Sequence, residues 1–460
     1  MTNHSPERVL AGVPTSPGVA AGPVVHLPLD PAGPGGVVVA GDLSPADVLA
    51  LDRPAVVALA TAAGAPLSHA SILARSLGIP VVTGLGPDVV ALLAGAFVLV
   101  DGDAGTVCVD PAPARLEEAA ARGGAAASRS DEARRRAAEP ACTVDGRVVP
   151  VLANVGSPHE ARAAVLAGAD GVGMLRTEFA FLGRPDPPGE QDQFEAYLGV
   201  ADAVGDRPLV VRTLDLGADI PTWGGVTEMN PALGNRGLRL ALSRPGLLET
   251  QLRAVARLAG RRPLQVMFPM VTTVDELRDA RACLAAVSSA PPGAIEIGIT
   301  VEVPAAALTA VAFAPLVDFF AVGTNDLTQY TLAVDRANAA VAGLADGMHP
   351  GVLRLIHAVT LAGAAHGRPV EVVGELGCDP LAVPLLIGLG VGALSVRPNA
   401  VATVKQAVRG VHPDRARRLA EAALRAESAA AVRRLCAADP VTIGPGTGME
   451  QDLDPLQHGG

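Results

Sequence analysis

Five short stretches of this sequence place an arginine, an amide or a carboxylate directly after an apolar run: Leu-Arg176-Thr-Glu178, Val-Arg212-Thr-Leu-Asp215, Val-Glu302-Val-Pro, Gly-Thr-Asn325-Asp326 and Gly-Glu375-Leu-Gly. Arg236 and Arg336 follow in segments that read as loops. Arginines gathered in one place repel one another without an anion, and carboxylates repel without a cation. The simplest ligand that answers both is a small di- or trianion carrying phosphate and carboxylate. Planar guanidinium groups would grip it, with a hard divalent ion on Glu302 and Asp326. A rim salt bridge would explain any single arginine, but it explains the whole set poorly.

A second candidate stands apart. Among nine histidines, His69 lies in Gly64-Ala-Pro-Leu-Ser68-His69-Ala-Ser71, after a Gly/Pro turn and at the opening of a helix-favouring stretch, 71–77. Unpaired N–H groups and the positive end of the helix dipole stabilise an anion at such a place, which suits a phosphorylated imidazole and equally an ordinary capping residue. His26, His159, His349, His357, His366 and His412 read as structural or surface groups, and His4 and His458 lie near the ends.

The elements that must position these groups are legible as a repeat. Eight β-type runs, 148–154, 171–175, 209–214, 264–270, 295–301, 319–322, 370–373 and 393–396, are each followed by a turn and a helix-favouring stretch. Eight βα units over roughly 265 residues match a (β/α)8 barrel, whose chemistry sits at the C-terminal ends of the strands. The polar residues named above fall at those ends. Residues 1–111 read as a small mixed α/β domain, with apolar runs at 37–40, 55–60, 81–82 and 97–100 between Gly/Pro/Asp turns. Residues 115–138 are rich in Ala, Arg and Glu without aromatic or β-branched residues, so 112–143 reads as a helical linker and 144–412 as the barrel. The remainder, 413–460, reads as a helix followed by a disordered Gly/Pro/Asp-rich tail. The fold class is α/β.

Composition narrows the chemistry. Of 36 basic residues in 460, 35 are arginine and one is Lys405, so a Walker A loop or a Schiff base is excluded unless Lys405 supplies it. Eleven aromatic residues and a net charge of −11 argue against nucleic acid as a partner. Five cysteines, Cys108, Cys142, Cys283, Cys378 and Cys436, show no CxxC spacing and fit a reducing, cytoplasmic setting. Residues 54–74 carry no formal charge over 21 positions, but Gly64, Pro66, Ser68 and His69 within them argue against a membrane span.

SHASILARSLGIPVVTG from Ser68, GVGMLRTEF from Gly171, NPALGNRGLR from Asn230, VMFPMV from Val266, IGITVEVPAA from Ile297 and FFAVGTNDLTQYTLAVDR from Phe319 together resemble the phosphoenolpyruvate-utilising enzymes. The likeness covers about residues 10–410 and is strongest to Enzyme I of the bacterial sugar phosphotransferase system. It implies a swivelling phosphohistidine domain joined by a helical linker to a (β/α)8 barrel that binds phosphoenolpyruvate (PEP). It also implies Mg²⁺-dependent phosphoryl transfer to a histidine, then onward to a carrier protein such as HPr. Matched residue by residue, His69 is the acceptor. Glu302 and Asp326 bind Mg²⁺, Arg176, Arg212, Asn325 and Arg336 hold PEP, and Arg236 supports them. A homodimer through the barrel is a further implication.

Three departures qualify the likeness. Only about 20 residues separate SPGVAAG (16–22) from DLSPAD (42–47), where the family carries a helical subdomain that docks HPr, so docking would have to come in trans. Val373 stands where the family has the cysteine that protonates the enolate, with Cys378 five residues on. Ala65-Pro66-Leu67 replaces a Gly-x-Thr before Ser-His, and Gly217-Ala-Asp-Ile replaces a lysine-bearing segment. These departures keep two rivals in view: a PEP-binding regulator without turnover, and a PEP synthase or dikinase-like chain whose ATP-binding domain is elsewhere.

Overall fold

The computed structural model describes residues 7–26, 35–51, 55–64, 68–216, 228–288, 290–336, 338 and 340–438. The N-terminal part is one mixed sheet. Its strands are β1 (Arg8–Ala11), β2 (Val13–Ser16), β3 (Val19–His26), β4 (Gly36–Ala40), β5 (Val56–Thr61), β6 (Val81–Thr83), β7 (Phe97–Asp101) and β8 (Thr106–Val109). They are ordered β1-β8-β7-β3-β4-β5-β6-β2, with β3, β4, β5 and β6 parallel. Alternation along β4 sends Val38 to one face, under Val48, Ala70 and Ala74, and Val37 and Val39 to the other, against Val98 and Val100. The Ser68 hydroxyl accepts the Ser71 N–H at 3.2 Å and starts the helix His69–Ser76. Residues 65–67 and 217–227, which hold both parts of the third departure above, lie outside the described residues.

The Ala/Arg-rich stretch forms the helix Pro113–Arg135, which touches both halves of the molecule. Ala119 packs on Leu99 and Cys108 of the sheet, while Ala133 and, just beyond the helix, Ala137 pack on Ala402. Lys405 anchors that second end. Its fully buried Nζ donates to Asp170 Oδ1 at 2.6 Å and to the carbonyls of Ala137 and Glu139 at 3.0 and 3.3 Å. The only lysine is therefore a structural cation, far from any amine chemistry.

Strands β9 (Val151–Val155), β10 (Val172–Arg176), β11 (Leu209–Arg212), β12 (Leu264–Phe268), β13 (Ile295–Val301), β14 (Phe319–Gly323), β15 (Val370–Val373) and β16 (Ala393–Val396) close into a parallel barrel, each run falling where the sequence places it. The closing seam pairs Ser395 with Leu152, and Ser395 Oγ bonds Asn154 Oδ1 at 2.6 Å across it. Three strands are shorter than their apolar runs, and of these β11 ends at Arg212. β9 starts late because Pro150 has no N–H and Val148 pairs instead with Cys142. β12 stops before Pro269, and Met270 then takes a left-handed φ of 59°. Beyond the barrel the chain makes two helices rather than one, Pro413–Arg425 and Ala429–Ala438; the Ser428 hydroxyl accepts the Ala431 N–H at 3.2 Å where the second begins. The tail 439–460 lies outside the described residues. Among those described, no helix is long and apolar enough to cross a membrane.

Lys405→Met removes a buried cation, leaves the Ala137 carbonyl and Asp170 Oδ1 without the ammonium, and leaves the Glu139 carbonyl to Arg409. A loss of about 3 kcal/mol is expected, read as a lower urea midpoint for the barrel transition. An unchanged midpoint would show that the lysine anchors nothing.

Candidate active site

The C-terminal ends of the strands carry the charged groups. Arg176 ends β10 and Arg212 ends β11; Glu302 follows β13, and Glu375 follows β15 after Gly374. Asp326 lies in the first turn of the helix Thr324–Leu332, one residue after Asn325. Arg236 precedes the helix Gly237–Ser243, and its position depends on Gly237. That residue has φ +56°, and a Cβ there would stand 2.7 Å from Met270 Cβ.

Arg236 is the hub. Its Nε and Nη2 donate to Asp215 Oδ1 and Oδ2 at 3.1 and 2.7 Å, and its Nη1 donates to Asp326 Oδ1 at 3.0 Å and to the Tyr330 hydroxyl at 3.2 Å. Arg212 Nη2 donates to Glu178 Oε1 at 2.9 Å, while its Nη1 lies 3.7 Å from Asp215 Oδ2 and 3.8 Å from Glu302 Oε1. Arg336 Nη2 is 3.4 Å from Asp326 Oδ2. Glu302 Oε2 accepts the N–H of Met270 at 3.0 Å, which fixes the left-handed turn. Three guanidinium groups thus face four carboxyl groups, and all four carboxyl residues are buried.

Their burial sets the protonation states. Burial first, then Asp326 and Asp215, pushes the Glu302 carboxyl up to about 8, against the downward pull of Arg212 and Arg236. Burial acts the same way on Asp215, but Arg236 and Arg212 outweigh it and hold that carboxyl below its usual range. Burial disfavours the charge on Arg212 and Arg236, and the surrounding carboxylates more than restore it. At neutral pH without added ions, then, Asp215 is a carboxylate and Glu302 keeps a proton. The Nε of Arg212 and that of Arg176 are buried without a hydrogen-bond partner. Two orphaned cationic donors and one surplus carboxyl suit an anion accompanied by a cation.

Of the residues singled out in the sequence, Arg212, Arg236, Arg336, Glu302 and Asp326 come together directly. Arg176 stands aside, 3.4 Å from Glu160 Oε2 and over the Phe179 ring at 5.0 Å. Asn325 Oδ1 accepts the Glu375 N–H at 3.0 Å. His69 opens its helix in the other domain, and that helix meets the barrel: Arg75 Nη1 lies 3.6 Å from Glu375 Oε2. Four members of the network were not assigned from sequence. Glu178 and Asp215 were visible as Arg-Thr-Glu and Arg-Thr-Leu-Asp, one pattern used on two adjacent strands. Tyr330 and Arg397, the latter 3.2 Å from Glu375 Oε1, gave no comparable signal. Cys378 is half-buried, with Sγ 3.6 Å from the Gly374 carbonyl and 3.4 Å from the Arg397 N–H.

Residues 130–413 match the model of the PEP-utilising enzyme, PEP-binding domain, and 32–105 that of the PEP-utilising enzyme, mobile domain. The chain belongs to the PEP-utilising enzymes. Among relatives of this family, a protein named multiphosphoryl transfer protein from Rhodobacter capsulatus is 45% identical over 89% of this chain and 50% of its own length. Two named phosphoenolpyruvate-protein phosphotransferase are similar as well. That of Cupriavidus necator is 38% identical over 93% of this chain and 76% of its own, and that of Haloferax volcanii is 41% identical over 88% and 72%. The chain spans about half the length of the multiphosphoryl transfer proteins it matches.

The Glu302 carboxyl makes a stability prediction. Its folded value lies above the ordinary ~4.3 of glutamate, so the folded chain holds a proton that the unfolded chain has released, and stability falls as pH rises toward about 8. Denaturation midpoints in chelator should therefore decline from pH 5.5 to 8 more steeply for wild type than for Glu302→Gln. Glu371, pushed up to about 8 by burial, contributes equally to both proteins and cancels in the comparison. Parallel slopes would contradict the assignment.

Proposed function

We propose that this PEP-utilising enzyme transfers the phosphoryl group of PEP to His69 in a Mg²⁺-dependent step, as a cytoplasmic phosphoenolpyruvate–protein phosphotransferase of the Enzyme I kind. Residues 1–111 act as the swivelling domain, 112–143 as the linker and 144–412 as the PEP-binding barrel. The observation that carries this reading is the Arg212–Arg236–Arg336 network around four buried carboxyl groups, with its orphaned Arg212 Nε, at a barrel mouth that the His69 helix touches through Arg75. The joint match to mobile and PEP-binding domains supports it.

Phosphoryl transfer is mainly positioning and neutralisation of spread charge. Arg212, Arg236 and Arg336, with Arg176 and Asn325 beside them, hold the phosphate and carboxylate of PEP. The His69 imidazole forms a P–N bond as the P–O bond to the enol oxygen breaks, and the electron pair leaves with the enolate of pyruvate. Glu302 and Asp326 fit Mg²⁺, which takes one or two carboxylates and completes its shell with water and phosphate oxygens. Bound there, the ion neutralises charge on the transferring phosphoryl group. Both Asp326 oxygens face guanidinium groups, so Asp326 would have to release Arg236 or Arg336 to hold the ion.

The enolate needs a proton at carbon. Val373 has none to give, and the Cys378 thiol, pushed up to about 11 by burial and by Glu375, is turned to the Gly374 carbonyl and the Arg397 N–H. Water is left as the donor, which makes pyruvate release slow. The onward acceptor is an HPr-like carrier that docks through a domain supplied in trans, and the barrel provides a homodimer contact. Val373 also favours a second reading, a PEP-binding regulator without turnover.

Isotope-labelled PEP with Mg²⁺ tests this directly. Acid-labile label is expected on wild type, none on His69→Ala, and a fall in labelling kcat/KM of about 10²-fold or more for Arg212→Lys, which loses the planar grip. Tight PEP binding without label on wild type would establish the regulator reading instead.

A further inference from the structure

Glu375 is left over when the anion site has been accounted for, yet it touches three elements at once. Its Oε1 lies 3.2 Å from Arg397 Nε, its backbone N–H donates to Asn325 Oδ1 at 3.0 Å, and its Oε2 lies 3.6 Å from Arg75 Nη1 in the other domain. The first is an ion pair without a hydrogen bond from Arg397 Nε, which places the carboxylate, and the second fixes the Glu375 backbone to the barrel. Gly374 before it adopts φ +120°, and a Cβ there would stand 2.6 Å from Thr324 Oγ1 and 3.0 Å from Asn325 Oδ1. A side chain at 374 would have to displace Thr324 Oγ1 and press on Asn325, so the turn at 374–375 is packed against Asn325 as well as bonded to it.

Arg75 is fixed just as firmly on its own side. Its Nε donates to the Thr15 carbonyl at 2.9 Å, which ties the guanidinium to β2. It stands six residues after His69 in one helix, roughly 9 Å along the axis at 1.5 Å per residue. Its side chain is only 17% exposed, so its charge needs a counter-ion when the two domains are together. Each partner is thus pre-ordered within its own domain, and little side-chain entropy is lost when they meet.

We propose that Glu375 is the positioning residue that couples PEP in the barrel to docking of the His69 helix: Asn325 reports the substrate to the 374–375 backbone, and Glu375 receives Arg75. The inference rests on the phosphoryl-transfer reading above. A mere counter-ion for Arg397 would leave Arg75 and the docking of the domain indifferent to Glu375.

Docking is read without activity, from the radius of gyration of the full chain by small-angle X-ray scattering with Mg²⁺ and PEP. Glu375→Gln and Arg75→Gln should each expand the particle and slow single-turnover labelling of His69 by about tenfold, while PEP affinity by calorimetry stays within about twofold of wild type. The double variant should be no slower than either single one, because both remove one contact. Multiplying effects in the double variant, or a loss of PEP affinity that accounts for the slower labelling in Glu375→Gln, would overturn the proposal. So would an unchanged radius in both single variants. Expansion of the variants together with an unlabelled wild type would instead keep the latch and remove the phosphotransferase reading.

Discussion

Arg236, laid two-pronged on Asp215 and reaching Asp326 with its third nitrogen, is the contact on which the barrel mouth depends. A buried arginine with a bidentate carboxylate is stable only where geometry and hydrogen bonds are close to complete, and here they are. Remove that pair and Asp326, Tyr330 and Arg212 lose their reference. The network is also deliberately unfinished. Glu302 carries a carboxyl that its neighbours cannot neutralise, and Arg212 holds an N–H with no acceptor. An entering anion finds the free Arg212 N–H, and an accompanying cation finds the Glu302 carboxyl once its proton leaves, which is the property a metal-assisted phosphate site requires.

The same logic ties the two domains together. A helix that begins at His69 ends close to Arg75, and Arg75 is held to β2 by Thr15 while it faces Glu375. The connecting helix meets the small sheet through Ala119 and Leu116 and through the Arg115–Glu7 and Arg122–Asp101 ion pairs, and it meets the barrel through Ala133 beside the Lys405 anchor. A linker held at both ends carries the position of one domain to the other.

Much of this was legible from the chain itself. The eight barrel strands could be read because each is a short, nearly continuous apolar run between turns, the signature of strands buried on both faces. The small sheet was half read: β4, β5, β6 and β7 were visible, whereas β1 and β2 are edge strands with exposed residues and a proline, and β8 is only four residues long. The site divides in the same way. Arginines at strand ends announce themselves, but their partners lie 90 residues away in the case of Arg236 and Asp326, and only the closure of the barrel brings them together. Arg176 shows the converse, since an identical local signal points to Glu160 and Phe179, away from the hub. Glu375 owes its place to a glycine turn and to a second domain, neither of which periodicity encodes.

The central claim is that the barrel mouth holds a surplus proton on Glu302 until cation and anion arrive. Calorimetry of PEP binding with Mg²⁺ near pH 7, repeated in buffers of different ionisation enthalpy, counts protons released on binding. The account predicts release of close to one proton per site, abolished in Glu302→Gln. Binding with no proton released from the wild-type protein would contradict it.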